Sequence, residues 1–231
     1  MLNEIVLIVF YIIILLYSVI IHEVAHGVAA LWLGDTTAKY AGRITANPFK
    51  HIDPWLTIGM PIMMLLLTGF RFAFGSAKPV PYNPYNLRDQ KWGPALVGLA
   101  GPATNISIAL IATAFARFIS IPSGLKRDII INFNDWGRIS EVISGSFQTI
   151  FFELLVIIIF WNVLLAFFNL IPIPPLDGSK LLFSLFPMKI EMMAMLEQFG
   201  FVILLFFIIF FSGPLGAFLN FMLSLFLGIT V

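Results

Sequence analysis

Ser18-Val19-Ile20-Ile21-His22-Glu23-Val24-Ala25-His26-Gly27-Val28-Ala29-Ala30-Leu31-Trp32-Leu33 is the exit half of an apolar run that starts at Ile5. The run is long enough to cross a hydrocarbon core, which takes roughly 20 apolar residues, and the bilayer leaves a helix as the natural conformation. It also carries two imidazoles and a carboxylate within one turn. It lacks a basic leading segment and is too long for a secretory signal, so it is expected to be retained.

The rest of the chain continues the pattern. Of 231 residues, 60% are hydrophobic and 11% charged, more apolar surface than one water-soluble domain could bury. Long apolar stretches recur at about Ala95–Ile119, Ile150–Ile171, Met192–Phe211 and Leu215–Ile229, the last two separated at Ser212-Gly213-Pro214. The expected fold is an all-α polytopic membrane protein, read as one embedded unit over 1–231, with three core helices (about 5–33, 95–119 and 150–171) and two C-terminal helices (about 192–211 and 215–229). Between the first two core helices, Gly34–Pro94 is rich in Gly, Pro, Thr and Asn and cannot be one helix. Residues 38–45 and 71–75 read there as short strands, a small membrane-associated β-hairpin, and Trp55–Leu67 as a re-entrant or surface-lying segment. Such strands could hold an extended substrate by edge pairing.

Net charge is +1, and no basic-aromatic cluster points to nucleic acid. The absence of cysteine excludes disulfides, thiolate metal sites and cysteine nucleophiles.

Positions four apart share a helix face, so His22 and His26 can converge on one metal ion with Glu23 beside them. Zinc suits such a site: it keeps an open position for water, lowers that water's pKa toward about 7 and polarises a carbonyl. Glu23 is placed to take the water's proton and pass it to the leaving amine. The bland alternative is a pair of histidines lining a polar interface. It is disfavoured because three ionisable groups in one turn of an apolar span cost several kcal/mol unless paired or metal-bound.

The third ligand must come from elsewhere. His51 sits in Lys50-His51-Ile52-Asp53-Pro54 and reads as an exposed loop residue near the headgroups. Asp177 directly follows an apolar helix, in Asn169-Leu170-Ile171-Pro172-Ile173-Pro174-Pro175-Leu176-Asp177-Gly178. Its three prolines are expected to end the helix and hold the chain extended, with Gly178 allowing a sharp turn after the carboxylate. The alternative role for Asp177 is to cap a short helix starting at Ser179.

If His22, His26 and Asp177 meet at one depth, an odd number of crossings must separate the first and third core helices. The second supplies that crossing, which is why Trp55–Leu67 should not span. The site side then carries Lys39, Arg43, Lys50, Arg71, Lys78, Arg88, Lys91, Lys180 and Lys189, against Arg117, Lys126, Arg127 and Arg138 opposite. Nine against four places the site toward the cytoplasm and the N-terminus outside.

His22-Glu23-Val24-Ala25-His26 with Asn169, Pro172, Asp177 and Gly178 resembles the site-2 protease family of intramembrane metalloproteases. Gly101-Pro102-Ala103-Thr104-Asn105 resembles the start of that family's middle core helix, and Lys78-Pro79-Val80-Pro81-Tyr82-Asn83-Pro84 a loop of its short, compact branch. The resemblance implies a three-helix core, zinc on His22, His26 and Asp177, and Glu23 as general base. It also implies a transmembrane protein or membrane-bound peptide as substrate, in a prokaryotic cell membrane. Neither a PDZ nor a CBS segment is seen, so substrate selection rests on the core or on separate regulatory proteins.

Asn169, two turns before Asp177, is expected to hydrogen-bond the scissile carbonyl or its oxyanion. Asn105 either assists from the second core helix or only bridges helices. Glu153 lies about 24 Å of helix rise from Asn169 and has no expected catalytic role. The rivals are a membrane zinc protease of another fold with Glu141 as third ligand, a metal transporter using His22, Glu23 and His26, and an inactive substrate-binding relative.

Overall fold

The computed structural model describes residues 2–67, 69, 75, 77–133, 135, 146–186 and 190–231. Four helices among the described residues are long and apolar enough to cross a membrane. They are α1 (Leu2–Trp32), α4 (Gly93–Phe118), α6 (Phe147–Asn169) and α9 (Gly200–Thr230). Shorter helices lie between them: α2 (Thr37–Tyr40), α3 (Met60–Leu67), α5 (Ser123–Asn132), α7 (Gly178–Leu185) and α8 (Ile190–Gln198). The chain is a multi-pass membrane protein. Much of α1 and α9 presents exposed Ile, Val, Leu and Phe, the surface a lipid environment favours.

The core is α1, α4 and α6, with α4 packed on both others and α9 laid against α4 and α6. The buried positions of α4 include Gly98, Gly101, Asn105, Ala109, Ala112 and Ala116, a run of mostly small residues spaced three or four apart. Without a hydrophobic drive between helices in lipid, such residues gain attraction by letting backbones approach closely. Polar side chains tie the three helices at one level: Asn105 Nδ2 donates to Asn162 Oδ1 (2.8 Å), and Asn162 Nδ2 to Ser18 Oγ (2.9 Å). At the far end, buried Lys126 donates to the carbonyls of Ala116, Arg117 and Thr230, pinning the C-termini of α4 and α9 together. Thus α1 and α6 run one way, α4 and α9 the other. Glu153 is fully buried in α6, and neither of its oxygens has a hydrogen-bond partner among the described residues.

The segment after α1 departs from the expected hairpin, since no strand occurs among the described residues. Residues 38–45 instead form α2 and the turns that follow it. The buried Asp35 carboxylate accepts from the Thr37 amide (3.1 Å) and hydroxyl (2.6 Å), a local bond that starts a helical turn, and Gly42 at φ 64 ends it. Of the second proposed strand, 71–74 lie outside the described residues. A π-helical turn, Pro54–Gly59, leads into α3. Together they rise only about 21 Å, too short to cross a core of about 30 Å.

The expected break between the two C-terminal helices appears as a kink at Phe211 (φ −114, ψ 17), where two helical segments of α9 meet just before Gly213-Pro214. The proline ring clashes with the carbonyl four residues earlier, so the distortion appears a turn upstream. The expected start at Met192 falls inside α8, a separate short helix.

Candidate metal centre

His22 and His26 stand one turn apart on α1 with ring centroids 4.7 Å apart, nearly perpendicular at 87°. Each has its δ nitrogen occupied. His26 Nδ1 lies 2.7 Å from the carbonyl of Val97, which can only accept, so that nitrogen carries the proton. His22 Nδ1 lies 2.7 Å from Asn105 Oδ1. The orientation of that amide follows from its neighbours: Asn162 Nδ2 donates to the Ile158 carbonyl (2.9 Å), so Asn162 offers its oxygen to Asn105 Nδ2, and Asn105 turns its own oxygen to His22. Both imidazoles are therefore Nδ1–H tautomers with bare Nε2 lone pairs.

Asp177 meets those lone pairs. Its Oδ2 lies 3.0 Å from His22 Nε2 and 3.1 Å from His26 Nε2. The Lys180 ammonium, 2.9 Å from Oδ1, favours the charged form of the Asp177 carboxyl. With neutral imidazoles, three electron-pair donors thus face one another, an arrangement that a proton or a metal cation between them would relieve. Bonds of about 2.0–2.1 Å to a tetrahedral zinc would set donor atoms about 3.3 Å apart, close to what is seen. The residues fit zinc.

Backbone geometry delivers the aspartate. The expected extended segment is instead a chain of tight turns, with Ile173 N–H bonded to the Ile171 carbonyl and Leu176 N–H to that of Ile173. Prolines at 172, 174 and 175 have no N–H to give a continuing helix, and the chain folds back. Gly178 is needed for space: its φ is not positive, but a Cβ there would collide with the Leu170 and Ile171 carbonyls. Asp177 precedes α7 yet makes no side-chain cap bond, so the capping alternative is not realised. Gly101 faces the centre directly, since a Cβ there would lie 2.6 Å from Nε2 of both His22 and His26.

Glu23 shares a cavity of about 430 Å³ with His22, His26, Asn169, Asp177 and Lys180. Its Oε2 accepts a 2.9 Å hydrogen bond from the Val80 amide. The loop carrying Val80 is anchored on both sides. Arg43 donates to the Lys78 carbonyl (2.6 Å), and Lys78 N–H donates to the carbonyl of His51 (2.9 Å). Asp35 accepts from the Asn83 amide (2.7 Å) and Asn86 Nδ2 (2.9 Å). Burial would raise Asp35, but hydrogen bonds from Thr37, Asn86 and the Asn83 backbone hold it below its ordinary range.

Asn169 lines the cavity, with its Nδ2 donating to the Leu165 carbonyl (2.9 Å). Asn105 is fully buried behind His22 with both ends of its amide engaged. It bridges helices and contacts His22, the second of the two roles the sequence left open for it. His51 is buried rather than exposed, away from the centre, its Nε2 donating to the Thr45 carbonyl (2.8 Å). Glu141 lies outside the described residues. Sequence reasoning missed Asp35, Asn162, Lys180 and the Val80 amide. For Val80 a signal existed, since Pro79-Val80-Pro81 offers a single N–H.

The family model described as Peptidase family M50 matches residues 10–211. YwhC of Bacillus subtilis (strain 168) is 32% identical over 210 residues, covering 90% of this chain and 83% of that protein. Rip2 of Mycolicibacterium smegmatis is 28% identical over 189 residues, covering 81% of this chain and 62% of that one. Rip2 of Mycobacterium tuberculosis (strain ATCC 25618 / H37Rv) is 27% identical over 191 residues, with shares of 82% and 62%. No solved structure matches the chain.

Proposed function

The chain belongs to peptidase family M50, and from that premise we propose that His22, His26 and Asp177 hold the zinc of an intramembrane protease in which Glu23 is the general base. The protein is a zinc-dependent metalloprotease, as its relatives YwhC and Rip2 are named. The observation that carries the residue assignment is the convergence of two bare Nε2 lone pairs and a carboxylate oxygen within 3.0–3.1 Å.

When bound, zinc supplies a Lewis acid that polarises a peptide carbonyl and makes water a nucleophile near neutral pH. Glu23 accepts the proton from that water and returns it to the leaving amine. The Val80 amide fixes the Glu23 carboxylate by holding one oxygen, leaving the other free for the proton. Asn169 keeps one amide hydrogen beyond its bond to Leu165 and offers it to the oxyanion.

The substrate is a transmembrane protein or membrane-bound peptide unwound locally at the cavity. The loop 77–82 walls that cavity and admits water from the polar side. On that side stand Lys39, Arg43, Lys50, Lys78, Arg88, Lys91 and Lys180, against Arg117, Lys126 and Arg127 opposite, among the described residues. The bias supports a site that faces the cytoplasm, with the N-terminus outside, in what we propose is a prokaryotic cell membrane. Selection among substrates falls to the core or to separate regulatory proteins.

Protein purified in detergent tests this reading with a model transmembrane peptide. Glu23→Gln should keep its zinc and lose cleavage by about 10²–10⁴-fold. Undiminished cleavage would refute the assignment of Glu23, and zinc flux into liposomes by the wild type would favour a transporter.

A further inference from the structure

Asp177 sends its two oxygens in different directions. Oδ2 faces His22 and His26, whereas Oδ1 lies 2.9 Å from Nζ of Lys180. Room for that ammonium is built into α4: a Cβ at Gly98 would lie 2.9 Å from Lys180 Cδ and 3.2 Å from its Cβ. The ammonium also stands 5.5 Å from the centroid of the Tyr82 ring. Lys180 thus reaches Asp177 through a gap that a missing side chain leaves open, with an aromatic face at its head.

A carboxylate can bind a metal through one oxygen or through both. Two imidazoles and one oxygen leave a fourth position for water, and a second carboxylate oxygen beside that water would make the ion five-coordinate. Chelation by Asp177 would forfeit a charge-assisted hydrogen bond to Lys180, which is stronger than a neutral one. We infer that Lys180 is a positioning residue that confines Asp177 to one metal-binding oxygen and so keeps the site four-coordinate, with its fourth position uncrowded for water. The inference rests on the reading of Asp177 as a ligand. An ion pair serving only stability would leave coordination unchanged.

Cobalt(II) in place of zinc makes the difference visible without turnover, because four-coordinate cobalt absorbs far more strongly in the visible than five-coordinate cobalt. Lys180→Met removes the ammonium and keeps the stem, and Lys180→Ala gives the same readout should the methionine crowd the gap. Both should bind one cobalt per chain with weakened visible bands, and kcat on the model peptide should fall about 10–100-fold with KM little changed. Lys180→Arg should restore the strong bands. A wild-type spectrum at full stoichiometry in either folded variant overturns the inference. Failure of the underlying reading looks different: Asp177→Ala would then leave the cobalt spectrum of the otherwise wild-type protein untouched.

Discussion

The Val80 amide donates a 2.9 Å hydrogen bond to Oε2 of Glu23, and it is the only N–H in Pro79-Val80-Pro81. The flanking prolines restrict the backbone and remove competing donors, so one amide is presented to the carboxylate that must move a proton. Val80 also packs close to Gly27, where an added Cβ would lie 3.0 Å from its Cγ1.

Val80→Pro should therefore lower kcat by about one to two orders of magnitude, the worth of a hydrogen bond to a charged group. Val80→Ala, which trims the side chain and keeps the amide, should retain most activity. Steady-state cleavage of a model transmembrane peptide reads both. Equal losses in the two variants would mean that packing, not the amide, matters.

Asp35 holds the same loop from its other end, through Asn83 and Asn86. Asp35→Asn should destabilise the metal-free protein by about 2–3 kcal/mol at pH 7. Because the folded carboxyl is held below its ordinary value, its stabilisation is complete above the unfolded pKa, near 4. It disappears as pH falls through the lower folded value. Melting temperatures of wild type and variant in detergent should differ by a constant amount from pH 5 to 7 and converge under stronger acid. A gap unchanged at acid pH would contradict the charge assignment.

Gly101 leaves no room for a methyl group beside the two Nε2 atoms. Gly101→Ala should push the imidazoles off their common focus and strip the metal while the four long helices remain. Zinc content by mass spectrometry, with helicity by circular dichroism, checks this. Stoichiometric zinc in the variant would show that the centre tolerates the intrusion.

Asn105 acts one bond back from the metal by fixing the tautomer of His22. Asn105→Leu should weaken zinc binding about 10–100-fold. Competition with a chelator of known affinity measures the change. Unaltered affinity would leave Asn105 as a bridge between helices and nothing more.

The centre was legible where short-range geometry writes it. Helix periodicity puts His22 and His26 on one face, and the prolines after Asn169 require the chain to leave its helix just before Asp177. The partners of Asn105 and Lys180 were not legible, because each depends on how far one helix slides along another. Small residues set that register, and a gap at Gly98 or Gly101 shows its purpose only once a neighbour fills it. The residues 38–45 were misread as strand because β-branched and aromatic content outweighed one buried carboxylate, Asp35, that captures the Thr37 amide.

X-ray absorption at the zinc edge of the purified protein tests the central claim most directly. The account predicts one zinc per chain with two imidazole nitrogens and oxygen donors at about 2.0–2.2 Å, and a changed oxygen shell in Asp177→Ala. A zinc spectrum without imidazole scattering, or one identical in wild type and Asp177→Ala at full occupancy, would contradict it.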